Sequence, residues 1–249
     1  MPLARREGWA IPFDAPFYPA LPAWYRNVDF QQVFFRADPA AVARFLPEPL
    51  EVSPDGECVA TGIRIPFSSA YGPINEAEID LKATFRGETG WFCSRVWHDG
   101  PHGIAAGREI YGTPKVFSKV DIAMLEGTML SRAWIGGVPV ITISTTTEVA
   151  IESSELRSLA PSWLLKIIPR ADGPGPAIKQ LIDSARAAGN VEVHRAFQGR
   201  GTVQFEPSPF GDLTGLRPLE YGPAYFFESS YSESFGRVVL DYLATEASP

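Results

Sequence analysis

The chain has only five lysines, and one follows a proline at what reads as the start of a strand: Lys115, after Pro114, in the stretch GREIYGTPKVFSKV from Gly107 to Val120. Two readings of that lysine compete. It is a solvated charge at a strand end, or it is an amine held where charge is disfavoured so that it can attack a carbonyl carbon. The second is nucleophilic catalysis through an iminium, and it needs the neutral amine. Holding an ammonium neutral near pH 7 costs roughly 4–5 kcal/mol against its ordinary value, which burial or a neighbouring cation must supply. Pro114 has a fixed φ and presses Thr113 towards an extended backbone, so the lysine leaves a stiff chain, as a positioned group would. On strand alternation Lys115, Phe117, Lys119 and Asp121 share a face, and the two lysines stand about 13 Å apart, too far to perturb each other strongly.

Other chemistries find less support. His98, His102 and His194 tempt a metal reading, but HDGPH is too loop-like for a helical pair and no cysteine joins it, so no metal site is expected. There is no phosphate loop, GxGxxG or GxSxG, and IGGVP reads as a turn. Cys58 and Cys93 make no CxxC and no disulfide framework, which fits a reducing compartment. MPLARREGWAIPF lacks the apolar run of a secretory leader, and the longest apolar stretch, AWIGGVPVITI, is about half of a membrane span. A net charge of −7 argues against a nucleic-acid partner. The expectation is a soluble, cytoplasmic protein that acts on a small molecule.

The elements that would position Lys115 are mostly strands. A length of 249 residues suits one domain, 1–249, with a Pro- and aromatic-rich arm over 1–25 that packs on its own chain or on another subunit. VDFQQVFFRA leads into a short helix with Asp38 as N-cap and Pro39 at the first helical position. In AEIDLKATFR, Ile79, Leu81, Ala83 and Phe85 face one way, and Asp80, Lys82, Thr84 and Arg86 the other. GETG turns into WFCSRVWH, and KVFSKVDIAML, EGT, MLSRAWI and VPVITISTTTEVAI continue an antiparallel pattern. PGPAIKQLIDSARAAG reads as one long helix with an apolar stripe of Ile178, Leu181, Ile182 and Ala185, stopped by Gly189. VEVHRAF, QGRG and TVQFEP read as a hairpin, and the chain closes with a strand, a bend and a helix. The fold class is mainly β with peripheral helices (α+β), a closed or strongly curved antiparallel sheet.

GREIYGTPK resembles the lysine motif of the acetoacetate decarboxylase-like superfamily. The similarity extends to FFRADPAAVARFLPEPLEV, to WLLKIIPRADGPGPAIKQLI and to VEVHRAFQG, in the family's order and over most of the chain. The resemblance implies a cone-shaped antiparallel β-barrel with Lys115 inside it as the Schiff-base lysine. It implies no cofactor beyond that covalent iminium, and a homo-oligomer. It places the family's active-site glutamate at Glu76, in YGPINEAE; without the family, Glu76 reads as a loop carboxylate in solvent. Departures from the family pattern point away from decarboxylation. Val116 stands where a second lysine follows the nucleophile, the arrangement known for lysine activation by a neighbouring cation. A second family glutamate falls near Thr61–Gly62 and is absent. The carboxylate-handling arginine falls near Val28, and Arg26 replaces it only by a shift of register.

That pattern is similar to the superfamily's divergent branch, in which the same lysine supports aldol condensation and dehydration between a 2-oxo acid such as pyruvate and an aldehyde. There a late tyrosine moves protons, which the resemblance places at Tyr231 in ESSYSES, while Tyr111 presents a second hydroxyl to the same pocket. Either tyrosine alternatively packs with its hydroxyl satisfied. Arg108 binds a substrate carboxylate or, with Glu109, braces the lysine strand as an ion pair. The expected function is an aldolase-dehydratase acting through Lys115, Glu76 and Tyr231. The alternatives are a β-keto acid decarboxylase such as one for acetoacetate, or a non-catalytic small-molecule binder on the same fold.

Overall fold

The computed structural model describes residues 8–208 and 211–244. Strands dominate: β1 (Ala23–Arg36), β2 (Glu51–Val52), β3 (Glu57–Ile65), β4 (Phe67–Ser68), β5 (Ile74–Phe85), β6 (Glu88–His98), β7 (Lys115–Phe117), β8 (Lys119–Leu125) and β9 (Thr128–Ile135). They continue with β10 (Val138–Thr146), β11 (Val149–Ala150), β12 (Ser162–Pro169), β13 (Pro176–Asp183), β14 (Ala188–Gly199), β15 (Gly201–Phe205), β16 (Glu220–Glu233) and β17 (Arg237–Asp241). Two short helices, α1 (Pro39–Ala43) and α2 (Pro101–Ala106), lie at the periphery. The side chain of Asp38 caps α1 by accepting the Ala40 amide at 2.9 Å, as the sequence predicts.

The larger sheet runs β11-β14-β16-β1-β3-β5-β6-β12-β13-β17, with β2, β4 and β7 attached to its sides; the smaller runs β15-β10-β9-β8. Pairing is antiparallel except where β6 meets β12 and β7. The long sheet is not closed by strand pairing into a ring, so of the two expected forms, closed or strongly curved, it is not the closed one. The segment from β13 to β14 bridges its seam: the Ser184 amide donates to the Ser162 carbonyl at 2.7 Å, and the Ser234 amide to the Ala187 carbonyl at 2.9 Å.

Strand alternation divides the interior in two. One face of β1, β3 and β5 sends Val33, Phe35, Cys58, Ala60, Ile79 and Leu81 against Val140, Ile141 and Ile143 of the smaller sheet. Each large aliphatic side chain buried there stabilises the fold by about 1.5–3 kcal/mol. The buried Gln31 couples the two sheets: its amide donates to the Met129 carbonyl (2.8 Å) and Thr145 Oγ1 (3.0 Å), and its Oε1 accepts from Ser131 Oγ (2.6 Å). The other face of the same three strands lines a cavity, whose far end is packed by Phe34, Val59, Trp91 and Tyr225.

Four sequence expectations give way. The stretch read as a long helix is β13 followed by a single tight turn over Ala185–Ala187. Its apolar residues serve opposite faces of a strand: Leu181 joins Phe85 and Trp163, while Ile182 joins Cys93, Val96 and Leu164. A strand covered on both sides loses its period of two and shows an apolar run that mimics a helical stripe. The closing helix is likewise β17. KVFSKVDIAML is two strands in different sheets, divided at the buried Ser118, so Lys119 lies far from the Lys115 face and is exposed. β14 and β15 do not form a hairpin either, since β14 pairs with β16 and β15 with β10. Of the N-terminal arm, residues 1–7 lie outside the described residues. Within the rest, Tyr18 is buried and donates to Glu109 Oε2 at 2.6 Å.

Candidate active site

Lys115 opens β7, which is held parallel to β6 with Val96 opposite the lysine. The turn before it explains the glycines of GREIYGTPK. A Cβ on Gly107 would sit 2.9 Å from both Lys115 Cδ and Cε, so glycine lets the lysine stem pass at that point without a shift. Gly112 has φ of +78°, and its missing Cβ leaves room for the Lys166 backbone. Arg108 donates to the Lys115 carbonyl at 3.1 Å, bracing the strand end from outside. It forms no ion pair with Glu109, whose carboxylate serves Tyr18 instead.

The lysine side chain is 13 % exposed, and Nζ donates to Glu76 Oε1 at 3.2 Å. Glu76, on β5, faces His98 directly across the β5–β6 ladder. The fully buried His98 accepts the Gly100 amide on Nδ1 at 2.8 Å. The ring proton is thereby assigned to Nε2, which stands 3.3 Å from the same Glu76 Oε1, within ion-pair distance but outside good hydrogen-bond alignment. Burial alone would push the Glu76 carboxyl up; Lys115 and His98 overcome it and hold it down at about 2. Glu76 therefore stays ionised beside the lysine. It fits the role of counter-charge to a Schiff-base cation better than that of a proton store.

The lysine and glutamate open on a cavity of about 480 Å³. Tyr231 lines it, stacked on Tyr25 with ring centroids 4.7 Å apart, and Tyr25 in turn donates to Glu233 Oε2 at 2.9 Å. Burial raises the Tyr231 phenol well above its ordinary value, so it keeps its proton near neutral pH, and burial also raises the Glu233 carboxyl. Phe30 and Phe227 stack at 4.8 Å and add an apolar wall. Lys115, Glu76 and Tyr231 thus line one cavity.

Three other expected site residues lie elsewhere. Tyr111 is buried, but its hydroxyl is engaged by the Ser234 carbonyl and is not aimed at the cavity. Arg26 is exposed beside the Trp24 ring, and Arg108 is exposed on the strand end; neither lines the cavity. Lys115 is the one lysine or arginine among the described residues of the lining.

Sequence reasoning missed the rest of the cavity's acid groups. Glu76, Glu78 and Asp80 alternate along β5 and all line the cavity, joined by Glu233 from β16. Burial, then Asp80 and Glu76, push Glu78 well up; burial pushes Asp80 up to about 7. The signal was present in INEAEIDLK as three carboxylates at a spacing of two, which reads as a solvated face unless that face is known to be enclosed. Among the described residues, no cluster of His, Cys, Asp and Glu is arranged to hold a metal ion. No helix there is long and apolar enough to cross a membrane.

Residues 1–243 match the family model described as acetoacetate decarboxylase (ADC). A protein from Chromobacterium violaceum named acetoacetate decarboxylase is 31% identical over 242 residues, spanning 96% of this chain and 97% of that one. Among solved structures, acetoacetate decarboxylase from Legionella pneumophila superposes with a TM-score of 0.85 at 24% identity, covering 98% of this chain and 100% of that one. The enduracididine biosynthesis enzyme MppR, complexed with the condensation product of pyruvate and imidazole 4-carboxaldehyde, gives a TM-score of 0.82 at 21% identity, covering 96% and 98%.

Proposed function

The chain belongs to the acetoacetate decarboxylase family, and from that premise we propose that it is a lyase acting on a short oxo acid through a Schiff base at Lys115, with condensation and dehydration as its reaction. The observation that carries the reading is the Lys115 Nζ, 3.2 Å from an ionised Glu76 in the wall of a cavity that holds no second lysine or arginine among its described residues.

The amine attacks the ketone carbon, and the carbinolamine loses water to give an iminium, whose positive charge Glu76 balances. Loss of a proton from the α-methyl group gives an enamine. Its carbon attacks the aldehyde carbon, and the new alkoxide takes up a proton. Loss of the hydroxyl as a second water leaves a conjugated iminium, and its hydrolysis releases an unsaturated oxo acid and the free lysine. This sequence moves several protons, and the cavity is furnished with carriers: the Tyr231 phenol and the raised carboxyls of Glu233 and Glu78.

A second reading is decarboxylation, favoured by the name of the relative at 31% identity. The same iminium then accepts the electron pair left by departing CO2. Against it stand Val116 directly after the lysine and the absence of an arginine from the described lining. Both readings predict that borohydride with pyruvate adds a reduced adduct to the wild type and none to Lys115→Ala, read by mass spectrometry. Pyruvate with an aromatic aldehyde separates them. A conjugated product rising in the near ultraviolet supports condensation. Release of CO2 from acetoacetate, with no such product, replaces it with decarboxylation. No adduct with any oxo acid sinks both.

A further inference from the structure

Three buried polar atoms in the cavity wall have no hydrogen-bond partner: Gln32 Oε1, Thr61 Oγ1 and Asp80 Oδ2. Their residues are 6 %, 1 % and 4 % exposed, so bulk water does not serve them freely. Strand register puts them in one place. Gln32 of β1 pairs with Thr61 of β3, and Thr61 pairs with Glu78 of β5, so these three share a cross-strand row; Asp80 follows one step further along the same face. Glu76, the partner of Lys115, lies two residues before Glu78. The row therefore sits roughly 7 Å along the strand from Glu76, and Asp80 roughly 13 Å.

Each of the unpaired atoms can accept a hydrogen bond: the amide oxygen only accepts, the Asp80 oxygen accepts when the carboxyl is ionised, as a cationic partner would favour, and the threonine hydroxyl accepts or donates. Buried acceptors without donors are unusual enough in folded proteins to call for an explanation, and a ligand that supplies the donors is one. The surroundings select the ligand's charge. Glu78 and Asp80 stand side by side, and Lys115, already paired with Glu76, is the one lysine or arginine among the described lining residues. An anionic group there would meet carboxyls on β5 and no free cation. A cationic donor would satisfy the acceptors and offset the crowding of the two acids.

We propose that Gln32, Thr61, Glu78 and Asp80 form a second binding subsite in the Lys115 cavity, which seats the far end of a substrate when that end carries a cationic hydrogen-bond donor such as an amidinium, guanidinium or ammonium group. The assignment depends on the Schiff-base reading for the reaction it serves, but not for the binding itself. Phe30 and Phe227 line the same cavity, so a flat ring suits a probe that reaches from the lysine to the row.

The test uses three para-substituted benzaldehydes of similar shape, 4-amidino-, 4-isopropyl- and 4-carboxybenzaldehyde. Each can form an imine with Lys115 that borohydride fixes, whichever reaction the enzyme performs. The half-saturating concentration for trapping is read by mass spectrometry. The amidine is expected to trap at a concentration at least about tenfold below the other two. In the Glu78→Gln, Asp80→Asn double variant that ratio is expected to fall towards one. The ratio is internal to each protein, so a general change in lysine reactivity cancels. Equal concentrations for all three aldehydes in the wild type, or a preference that survives the double variant, overturn the subsite. Benzamidine and benzoate titrated calorimetrically into Lys115→Ala read the subsite without any imine. Benzamidine bound alone supports it even if Lys115 traps nothing, in which case the Schiff-base reading has failed and the subsite has not. Neither ligand bound, or both bound equally, overturns it.

Discussion

His98 and Glu76 are direct cross-strand partners, and His98 Nε2 reaches within 3.3 Å of the same carboxylate oxygen that accepts from Lys115 Nζ. A lysine, a glutamate and a histidine from three adjacent strands thus converge on one atom. The histidine touches no substrate in this arrangement. It acts through Glu76, which burial alone would leave protonated at higher pH.

Replacing His98 by Phe keeps a ring of similar size and removes the polar partner. The acid limb of the pH profile for pyruvate trapping is expected to move up by about one to two pH units, because Glu76 loses one of the two groups that hold it near 2. His98→Gln, which can still donate, is expected to restore part of the limb. A role in packing alone would lower the yield of folded protein and leave the limb where it is.

Gly107→Ala tests how closely the lysine is positioned. The new methyl lies 2.9 Å from Lys115 Cδ and Cε, so either the stem or the turn must shift by several tenths of an ångström. Misplacement of a reacting group by about 1 Å can cost about 10²-fold, so a loss of roughly 10- to 100-fold in kcat/KM is expected. Circular dichroism and melting temperature should change little by comparison. A fully active Gly107→Ala protein would mean that the lysine tolerates more freedom than this geometry grants it.

Tyr231→Phe keeps the stack on Tyr25 and removes only the hydroxyl. If Tyr231 moves protons during turnover, product formation is expected to fall by about 10²- to 10⁴-fold. Trapping of pyruvate, which ends at the iminium, should fall far less. An equal loss in both assays would assign the hydroxyl to binding or to the imine step itself.

The part of this site legible in the sequence is the part set by short-range chemistry. Pro114 and Lys115 are adjacent, and the stiff strand start follows from the fixed φ of proline; the roles of Gly107 and Gly112, a close approach and a positive φ, emerge only from the structure. Alternation along β5 was also legible, and Ile79, Leu81, Ala83 and Phe85 are buried as expected. What alternation cannot convey is whether the opposite face meets solvent or an enclosed space. Asp80 was placed correctly on the polar face, yet its burial depends on β6, β12 and the seam segment, far away in sequence. Arg26 lies outside the cavity for a similar reason, since a one-residue change of register decides whether a strand residue faces the cavity or the outside; Arg108 lies outside it because it sits in the helical turn Gly107–Tyr111 before the lysine strand. β13 deceived because both its faces are covered, which erases the periodicity that identifies a strand.

The raised carboxyl of Asp80 makes stability depend on pH in a direction opposite to that of Glu76. Burial lifts Asp80 from 3.8 to about 7, so between those values the folded chain holds a proton that the unfolded chain has released. Stability from this group is therefore full below pH 3.8, declines as pH rises, and is lost above about 7. Glu76 runs the other way: lowered from 4.5 to about 2, its contribution is full above pH 4.5 and is lost as pH falls towards 2. The two windows scarcely overlap, but the raised carboxyls of Glu78 and Glu233 also make stability depend on pH, so the Asp80 effect is read as the difference between wild type and Asp80→Asn in denaturant unfolding at pH 4.5, 6 and 8. Asp80→Asn places a neutral amide of the same shape in the wall and removes the charging step. The variant is expected to match or slightly trail the wild type at pH 4.5 and to exceed it at pH 8 by on the order of 1–3 kcal/mol. A constant difference between the two proteins across that range would mean that Asp80 is ionised throughout, and that the wall of the cavity is wetter than its 4 % exposure implies.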